Sequence, residues 1–237
     1  MKILALDTTA KVASVAVCDG ERTLAEYSID NGLTQSELLL PMAEAAVKNL
    51  GITLSDIDLF AVTVGPGSFT GVRIGVSLVK GLAFGKNTPT VAVSTLEALA
   101  ENASGLSGII IPCMDARRGE VYNAVFRSDK DGCHRLTEDR AISLSALAEE
   151  LKNYDKEKIY AVGDGYAVAV RGLTECGIIL ENTPLLLRMQ NAASVARVAY
   201  RECLRGNTLS AGELSPTYLR LPQAERERLE RINANKG

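Results

Sequence analysis

The chain carries the same pattern of elements twice, and this repetition restricts its fold more than any other feature of the sequence. One apolar run ends in Asp7, and a second one ends in Asp115. Each run is followed by further strand patterns, a helix, another strand and a glycine-rich turn that opens a helix. The turn is Gly65-Pro66-Gly67 in the first copy and Gly163-Asp164-Gly165 in the second. This order predicts a duplicated α/β architecture.

The copies are too long for the units of a solenoid, so we predict two domains rather than an array. The boundary falls in the small-residue stretch 103–107. We therefore assign residues 1–104 to an N-terminal domain and residues 105–237 to a C-terminal domain. The C-terminal domain ends in a charged tail, for which residues 223–233 predict a solvated helix.

Hydrophobic periodicity and turn residues give the positions of the elements. In the first copy, strands are predicted over residues 3–7, 13–17, 23–28, 60–64 and 91–93. One helix is predicted to begin at Thr34, where Glu37 completes a capping box. Two further helices are predicted over residues 69–85 and from about 95 to 102. In the second copy, strands are predicted over residues 108–115, 121–126 and 159–162, and a helix over 143–151.

Composition argues against several classes of function. The 237 residues carry a formal net charge of −3 and no tryptophan, and independent binding of nucleic acid needs a basic surface. The five cysteines are odd in number and lack CxxC spacing, so we expect reduced thiols. No run approaches the roughly 20 apolar residues of a membrane span, and no signal-peptide pattern is present. We therefore expect a cytoplasmic protein that does not associate with membranes.

A single histidine, His134, argues against the common hydrolytic sites. Ser-His-Asp and Cys-His arrangements need a histidine beside the nucleophile, and catalytic zinc sites usually need two or three. His134 follows Asp131 and Gly132 in a polar stretch that is typical of a hairpin tip, where a solvated histidine is expected. We therefore predict no catalytic residue and no metal site in this chain.

A cleft between the two halves is the default ligand site of a duplicated α/β protein. Backbone amides at the start of a helix can bind an anion, so both glycine-rich turns and the aspartates that end the opening strands are candidates. The possible nucleotide-binding residues are Asp7, Thr8, Thr9, Gly65, Gly67, Asp115, Gly163, Asp164 and Gly165. Tight turns and close packing explain the glycines equally well.

The helix predicted after Gly67 contains an unusual number of glycines. Gly71, Gly75 and Gly81 each cost roughly 0.5–1 kcal/mol relative to alanine inside a helix. Gly67, Gly71 and Gly75 are spaced by four residues and share one face, along which another element can approach closely. That element is either the protein's own sheet or a second subunit, and the spacing does not choose between them.

Several stretches of the sequence resemble one family. Residues 3–9 resemble the opening phosphate loop of the actin, sugar-kinase and Hsp70 superfamily. Residues 65–75 resemble the signature of the TsaB (YeaZ-like) family, and residues 114–122 and 215–220 resemble its second hallmark and its C-terminal motif. The chain is identified as a member of this family. The resemblance implies a duplicated actin-like (ribonuclease H-like) α/β fold in two domains, of which the second is smaller.

The resemblance also implies a non-catalytic partner subunit that is not an enzyme by itself. Such a subunit binds and activates a catalytic TsaD-type subunit, which transfers threonylcarbamoyl to N6 of adenosine 37 in tRNA. A TsaE-type P-loop ATPase joins the complex, the subunit alone forms homodimers, and tRNA is bound only through the complex. No cofactor is required by this subunit, although weak ATP or ADP binding is compatible with the fold. The implied interface residues are Leu39, Met42, Ala46, Gly67, Gly71, Arg73, Gly75 and Leu78.

The chain departs from the catalytic relatives where those bind metal. TsaD-type proteins carry a metal-binding His-x-x-x-His, and the corresponding positions here are Thr95 and Leu99. Neither side chain replaces a histidine ligand. Two other functions are weighed against the partner subunit. An ATP-dependent phosphotransferase of the same fold needs a full nucleotide cleft and an acid or base for its acceptor, and a metallopeptidase needs more histidines.

Overall fold

The computed structural model describes residues 1–32, 34–117 and 119–220. Its first half contains strands β1 (Lys2–Asp7), β2 (Ala13–Asp19), β3 (Arg22–Ile29), β4 (Leu59–Gly65) and β5 (Thr90–Ser94). The helices of this half are α1 (Gln35–Asn49), α2 (Phe69–Phe84) and α3 (Thr95–Asn102). These elements confirm the predicted ones in type and in order. The charged helix predicted over residues 223–233 lies outside the described residues, as does Arg118.

The second half contains six strands in its described part. They are β6 (Gly108–Asp115), β7 (Glu120–Asn123), β8 (Phe126–Asp129), β9 (Gly132–Arg135), β10 (Arg140–Ser143) and β11 (Ile159–Val162). The helices are α4 (Leu144–Leu151), α5 (Tyr166–Glu175) and α6 (Ala192–Leu204). The sequence patterns predicted α4 and the turn that opens α5, but they did not reveal α6.

Apart from β5, which has no counterpart among the described strands of the second half, the two sheets follow the same strand order, which confirms the duplication. The first sheet has the order β3-β2-β1-β4-β5, with β1, β4 and β5 parallel and β2 and β3 antiparallel to their neighbours. In the second sheet, β6 takes the place of β1 and β11 that of β4. The counterpart of β2 is split into β7 and β8, which pair with β6 in one continuous register. The counterpart of β3 is split into β9 and β10.

The split in the second strand has a cause in β6. The sequence predicted one strand over residues 121–126, and this prediction is wrong because β7 ends at Asn123 and β8 begins at Phe126. The register places Pro112 opposite Ala124, at the break. Proline has no N–H to donate to the ladder. The Asn123 side chain instead donates a hydrogen bond of 2.9 Å to the Pro112 carbonyl.

The layers stack as helix, sheet, helix, sheet, helix. Helices α1 and α2 cover one face of the first sheet, and α6 covers the other. Helices α4 and α5 cover the outer face of the second sheet. Helix α3 lies between the sheets, because its Ala98 packs with the first while its Leu96 and Leu99 pack with the second. None of the helices in the described ranges is long and apolar enough to cross a membrane. We call the first sheet with α1, α2 and α6 the first lobe, and the second sheet with α4 and α5 the second lobe.

The chain returns to the first lobe after the second is complete, so the predicted domain of residues 105–237 is wrong at its C-terminal side. Residues of α6 pack on β1, β2 and β5 in the first lobe. The first turn of α6 is tied to β2 by a hydrogen bond of 2.9 Å from the Ala192 amide to Ser14 Oγ. Farther on, Leu209 pairs with Thr90 at the edge strand β5. The second lobe is therefore an insertion into the first.

Candidate functional site

A cleft of about 450 Å³ opens between the lobes where β1 and β6 end. The predicted nucleotide-binding set is partly assembled here, since the cleft wall includes Thr9, Gly67, Asp115 and Asp164. Asp7 and Thr8 lie deeper and are buried. Further residues of the wall that the sequence did not single out are Lys11, Gln35, Ser68, Phe69, Arg117 and Tyr122.

Asp7 is a fully buried carboxyl group beneath the cleft. Its Oδ1 accepts hydrogen bonds from the Thr9 amide at 2.9 Å and from Thr9 Oγ1 at 2.7 Å. Its Oδ2 has no hydrogen-bond partner among the described residues. The Thr63 hydroxyl lies near this carboxyl group and favours its charged form, although the two do not form a hydrogen bond. Burial raises the pKa of Asp7 to about 6, against the lowering effect of these hydroxyl and amide donors.

The second lobe places two carboxylates at the cleft. Asp115 ends β6, and its Oδ1 accepts a hydrogen bond of 2.7 Å from the Arg117 amide. The pKa of Asp164 is raised to about 6 by desolvation between the cleft walls and by repulsion from Asp115. Asp115 and Asp164 line the cleft, and Asp7 lies buried beneath it. An incoming phosphate would therefore meet carboxylates and would need a cation to offset them.

Three amides at the two glycine-rich turns are already engaged within the protein. The Gly163 amide donates to the Arg188 carbonyl at 2.6 Å, and the Gly165 amide donates to the Cys113 carbonyl at 3.0 Å. In the first turn, Pro66 has no N–H, and the Ser68 amide donates to the Thr9 carbonyl at 2.7 Å. Few donors remain for an anion. Close packing accounts for these glycines, since a Cβ at Gly163 would overlap the Cys113 carbonyl.

The positions that correspond to the metal ligands of the catalytic relatives lie in the interior. Thr95 and Leu99 are both buried, and Leu99 belongs to the apolar cluster between α3 and the second sheet. Within the described ranges, no group of three or more His, Cys, Asp or Glu residues is arranged to hold a metal ion. His134 is exposed on β9, with its Nε2 3.6 Å from Asp129 Oδ1, as a solvated histidine would be.

The glycine face of α2 points inward, so the prediction that Gly67, Gly71 and Gly75 form a subunit interface is wrong. A Cβ at Gly71 would overlap the Thr8 carbonyl, and a Cβ at Gly75 would lie 2.5 Å from Thr8 Oγ1. A Cβ at Gly67 would lie 2.5 Å from the Thr9 carbonyl. The glycines allow α2 to press against the turn between β1 and β2, where Thr8 Oγ1 donates a hydrogen bond of 2.7 Å to the Gly71 carbonyl.

The predicted interface residues of α1 are also wrong, because Leu39, Met42 and Ala46 are buried in the core between α1, α2 and the first sheet. Their helical spacing marks the face that the helix buries against its own protein. Of the eight predicted interface residues, only Arg73 is exposed on a helix, and Leu78 is half-buried beside it.

The outer face of α2 is a separate surface that the sequence reasoning missed. We define it as Arg73, Ser77, Gly81 and Phe84, which are exposed and lie at intervals of three or four residues. Ile74, Leu78 and Leu82 flank it and are half-buried. Phe84 is 76% exposed, and Leu40 on the neighbouring α1 is 42% exposed. Gly81 has no atom within 4 Å of where its Cβ would lie, so no contact inside the protein explains a glycine there. In the sequence, the spacing between Gly75 and Gly81 is not a multiple of four. This spacing was the signal that Gly81 lies on a different face of the helix from Gly71 and Gly75.

Comparisons with known proteins agree with this architecture. A family model described as "TsaD: tRNA N6-adenosine threonylcarbamoyltransferase" matches residues 34–227. The chain is 32% identical over 222 residues to the tRNA threonylcarbamoyladenosine biosynthesis protein TsaB of Escherichia coli (strain K12), covering 93% of this chain and 95% of that protein. It is 34% identical over 160 residues to the TsaB protein of Bacillus subtilis (strain 168), covering 68% and 70%.

This chain belongs to the TsaB family. A solved structure of YeaZ from Pseudomonas aeruginosa superposes with a TM-score of 0.77 at 27% identity, covering 92% of this chain and 99% of that one. The likeness, together with the duplicated strand order, confirms the expected actin-like α/β fold.

Proposed function

We propose that this protein is a non-catalytic subunit of the machinery that forms threonylcarbamoyladenosine in tRNA. In this proposal it binds a TsaD-type catalytic subunit through the outer face of α2 and activates it. A TsaE-type ATPase joins the complex, tRNA is contacted through the complex, and the subunit forms homodimers when its partner is absent. Its free cysteines suit the reducing cytoplasm.

The observation that carries the proposal is the open glycine on the outer face of α2. An exposed glycine inside a helix costs about 1 kcal/mol relative to alanine, and Gly71 and Gly75 offset this cost by contacts that Gly81 lacks. A backbone without a side chain lets a second helix approach closely. The exposed ring of Phe84 and the half-buried Leu78 and Leu82 supply apolar surface on both sides of it. A helix of a partner subunit fits this surface best.

The cleft supports a role without catalysis. The cleft lacks a histidine. Its carboxylates, Asp115 and Asp164, lie near the engaged amides of Gly163 and Gly165. The alternative of a phosphotransferase needs those amides for the phosphates of the nucleotide. We infer that any ATP or ADP binds weakly and is not required by this subunit. Isothermal calorimetry with ATP and magnesium distinguishes the two functions, because tight binding with turnover on a small acceptor would favour the phosphotransferase.

A cellular experiment tests the pathway. We expect depletion of this protein in its own host to lower threonylcarbamoyladenosine in bulk tRNA, as measured by mass spectrometry of digested tRNA. Expression of the wild-type gene from a second locus is the control and should restore the modification. An unchanged level of the modified nucleoside after full depletion would contradict the proposal.

A binding experiment tests the surface. We expect Gly81→Leu and Ser77→Arg to weaken binding to the TsaD-type subunit by at least about tenfold, because each puts bulk where close approach is needed. Both positions are exposed, so the melting temperature should change little. Gly105→Leu is the matched control, since Gly105 is also exposed with no atom near its Cβ position. Binding is measured by co-elution of the two proteins in size-exclusion chromatography. If both α2 variants bind the TsaD-type subunit as tightly as the wild type does, the partner binds elsewhere.

A further inference from the structure

The segment Ser215–Arg220 crosses from one lobe to the other beside the cleft, where it contacts the wall residues Phe69 and Ala116. It begins beside the first glycine-rich turn, where the Thr217 amide donates a hydrogen bond of 2.8 Å to the Val64 carbonyl. Gly65 has a φ of +121°, and a Cβ there would lie 2.5 Å from the Thr217 carbonyl. The close passage of this segment therefore explains why the chain has a glycine at residue 65.

The middle of the segment is bound to the first turn of α2. The Tyr218 ring stacks on Phe69 with 4.6 Å between the ring centroids, and the Arg73 guanidinium lies 3.9 Å from the centroid of Phe69. Arg73 Nε also donates a hydrogen bond of 2.9 Å to the Tyr218 hydroxyl. Stacking, cation–π contact and a hydrogen bond thus join the segment to the end of α2 from which its outer face begins.

The end of the segment is bound to the second lobe. Arg220 donates a hydrogen bond of 3.2 Å to the Ala116 carbonyl and forms an ion pair with Glu120. These two residues close a tight turn, since the Ala116 amide donates to the Glu120 carbonyl at 3.1 Å. Within the turn, Arg117 has a φ of +62° and Gly119 a φ of +75°. A turn with such backbone angles is held in place by the contacts around it, and it carries Asp115 and Arg117 into the cleft wall.

The lobes are also joined through the first turn of α3. Ser94 Oγ donates a hydrogen bond of 2.5 Å to Asp139 Oδ2, and Arg135 Nη2 lies 3.1 Å from Glu97 Oε2. Ser94 and Glu97 belong to the first half of the chain, whereas Arg135 and Asp139 belong to the second sheet region. The segment Ser215–Arg220 thus links the lobes through residues other than these.

We propose that Ser215–Arg220 is a clasp that holds the two walls of the cleft together and couples the first turn of α2 to the turn closed by Ala116 and Glu120. Arg73 contacts Phe69 and Tyr218, and Tyr218 is two residues from Arg220. A displacement at the α2 end of the clasp therefore reaches the cleft wall of the other lobe through the short stretch from Tyr218 to Arg220. The clasp is a property of the single chain and holds whether or not the outer face of α2 binds a partner.

Hydrogen–deuterium exchange of the purified protein tests the clasp. We expect Arg220→Ala to raise the exchange rate of the peptide covering residues 114–123 about tenfold, because the turn loses a hydrogen bond and an ion pair. Arg73→Ala should raise exchange in the same peptide about threefold although Arg73 lies on the other lobe. Arg205→Ala, which removes an exposed ion pair with Glu202 on α6, is the matched control and should leave this peptide unchanged.

Two further variants separate coupling from general destabilisation. In an Arg220→Ala background, Arg73→Ala should add nothing at residues 114–123, because the link is already cut. The exchanged pair Glu120→Arg with Arg220→Glu should restore protection. Unchanged exchange of this peptide in Arg220→Ala, an equal increase throughout the chain, or a full additional effect of Arg73→Ala in that background would each overturn the proposal.

Discussion

The two lobes share a strand order but differ in what the glycines within their helices contact. In the first lobe, α2 has 16 residues, and its Gly71 presses on the Thr8 carbonyl while its Gly75 presses on the Thr8 hydroxyl. In the second lobe, α5 has 10 residues, and its one glycine, Gly172, faces the Leu144 side chain. Backbone cannot move aside, whereas the end of a leucine can rotate. The contact of α2 with Thr8 is therefore rigid, whereas the contact of α5 with Leu144 at Gly172 tolerates variation.

The aspartates that end the two opening strands show the same difference. Asp7 and Asp115 each accept a hydrogen bond from the amide two residues later. Asp7 is fully buried, whereas Asp115 is exposed in the cleft. The corresponding turns are thus a buried polar contact in the first lobe and an exposed surface in the second. Both turns contain the same hydrogen bond, but their environments differ.

Exchanging glycine for alanine in each lobe tests this contrast most strongly. We expect Gly71→Ala to lower the free energy of unfolding by roughly 3 kcal/mol or more, because its Cβ would overlap the Thr8 carbonyl. Gly172→Ala should cost less than about 1 kcal/mol, because Leu144 can adopt another rotamer. Urea denaturation of both variants measures the difference. Similar losses for the two would show that the lobes are equally rigid here.

Replacing the two aspartates sharpens the contrast through its pH dependence. The folded protein keeps the Asp7 proton up to about pH 6, while the unfolded chain releases it near 3.8, so stability falls as pH rises between these values. Asp7→Asn removes this loss and should stabilise the protein by up to about 3 kcal/mol above pH 7, and by little near pH 4. Asp115→Asn should change stability by less than about 0.5 kcal/mol at both pH values, because Asp115 is exposed. A destabilised Asp7→Asn protein at pH 8 would show that the buried charge is compensated.

The smallest expected effect concerns the open glycine that α2 has and α5 lacks. Gly81→Ala should raise the free energy of unfolding by about 0.5–1 kcal/mol, because its Cβ meets no atom of the protein and alanine favours the helix. The same variant should bind the proposed catalytic partner less tightly than wild type. Thermal denaturation together with a binding isotherm measures both changes. A gain in stability without any loss of binding would mean that close approach at Gly81 is not used.

The sequence was sufficient for features that depend on local pattern. Strand and helix types, the Thr34–Glu37 capping box and the two glycine-rich turns follow from periodicity and from residues with special backbone freedom. The duplication was visible because it repeats that local order. The family resemblance rested on the same stretches, and the comparisons confirmed it.

Features that depend on long-range packing were not predictable in the same way. The spacing of Gly71 and Gly75 showed that something lies close to α2, but only the fold reveals that it is Thr8. Apolar residues at helical spacing, such as Leu39 and Met42, mark a buried face without saying what covers it. The docking of α6 on the first lobe joins residues far apart in sequence, and no local signal carries that information.

The return of α6 to the first lobe has a consequence for synthesis of the protein. The face of the first sheet formed by Ile3, Ala5 and Ala61 is covered by Ala192, Val195 and Ala199 of α6. That face stays open to water on the ribosome until α6 has emerged. The second lobe, whose strands and helices are contiguous in the chain, is free to close first. The strands of the first lobe are thus synthesised early, but the packing of this lobe is completed only after the second lobe has been synthesised.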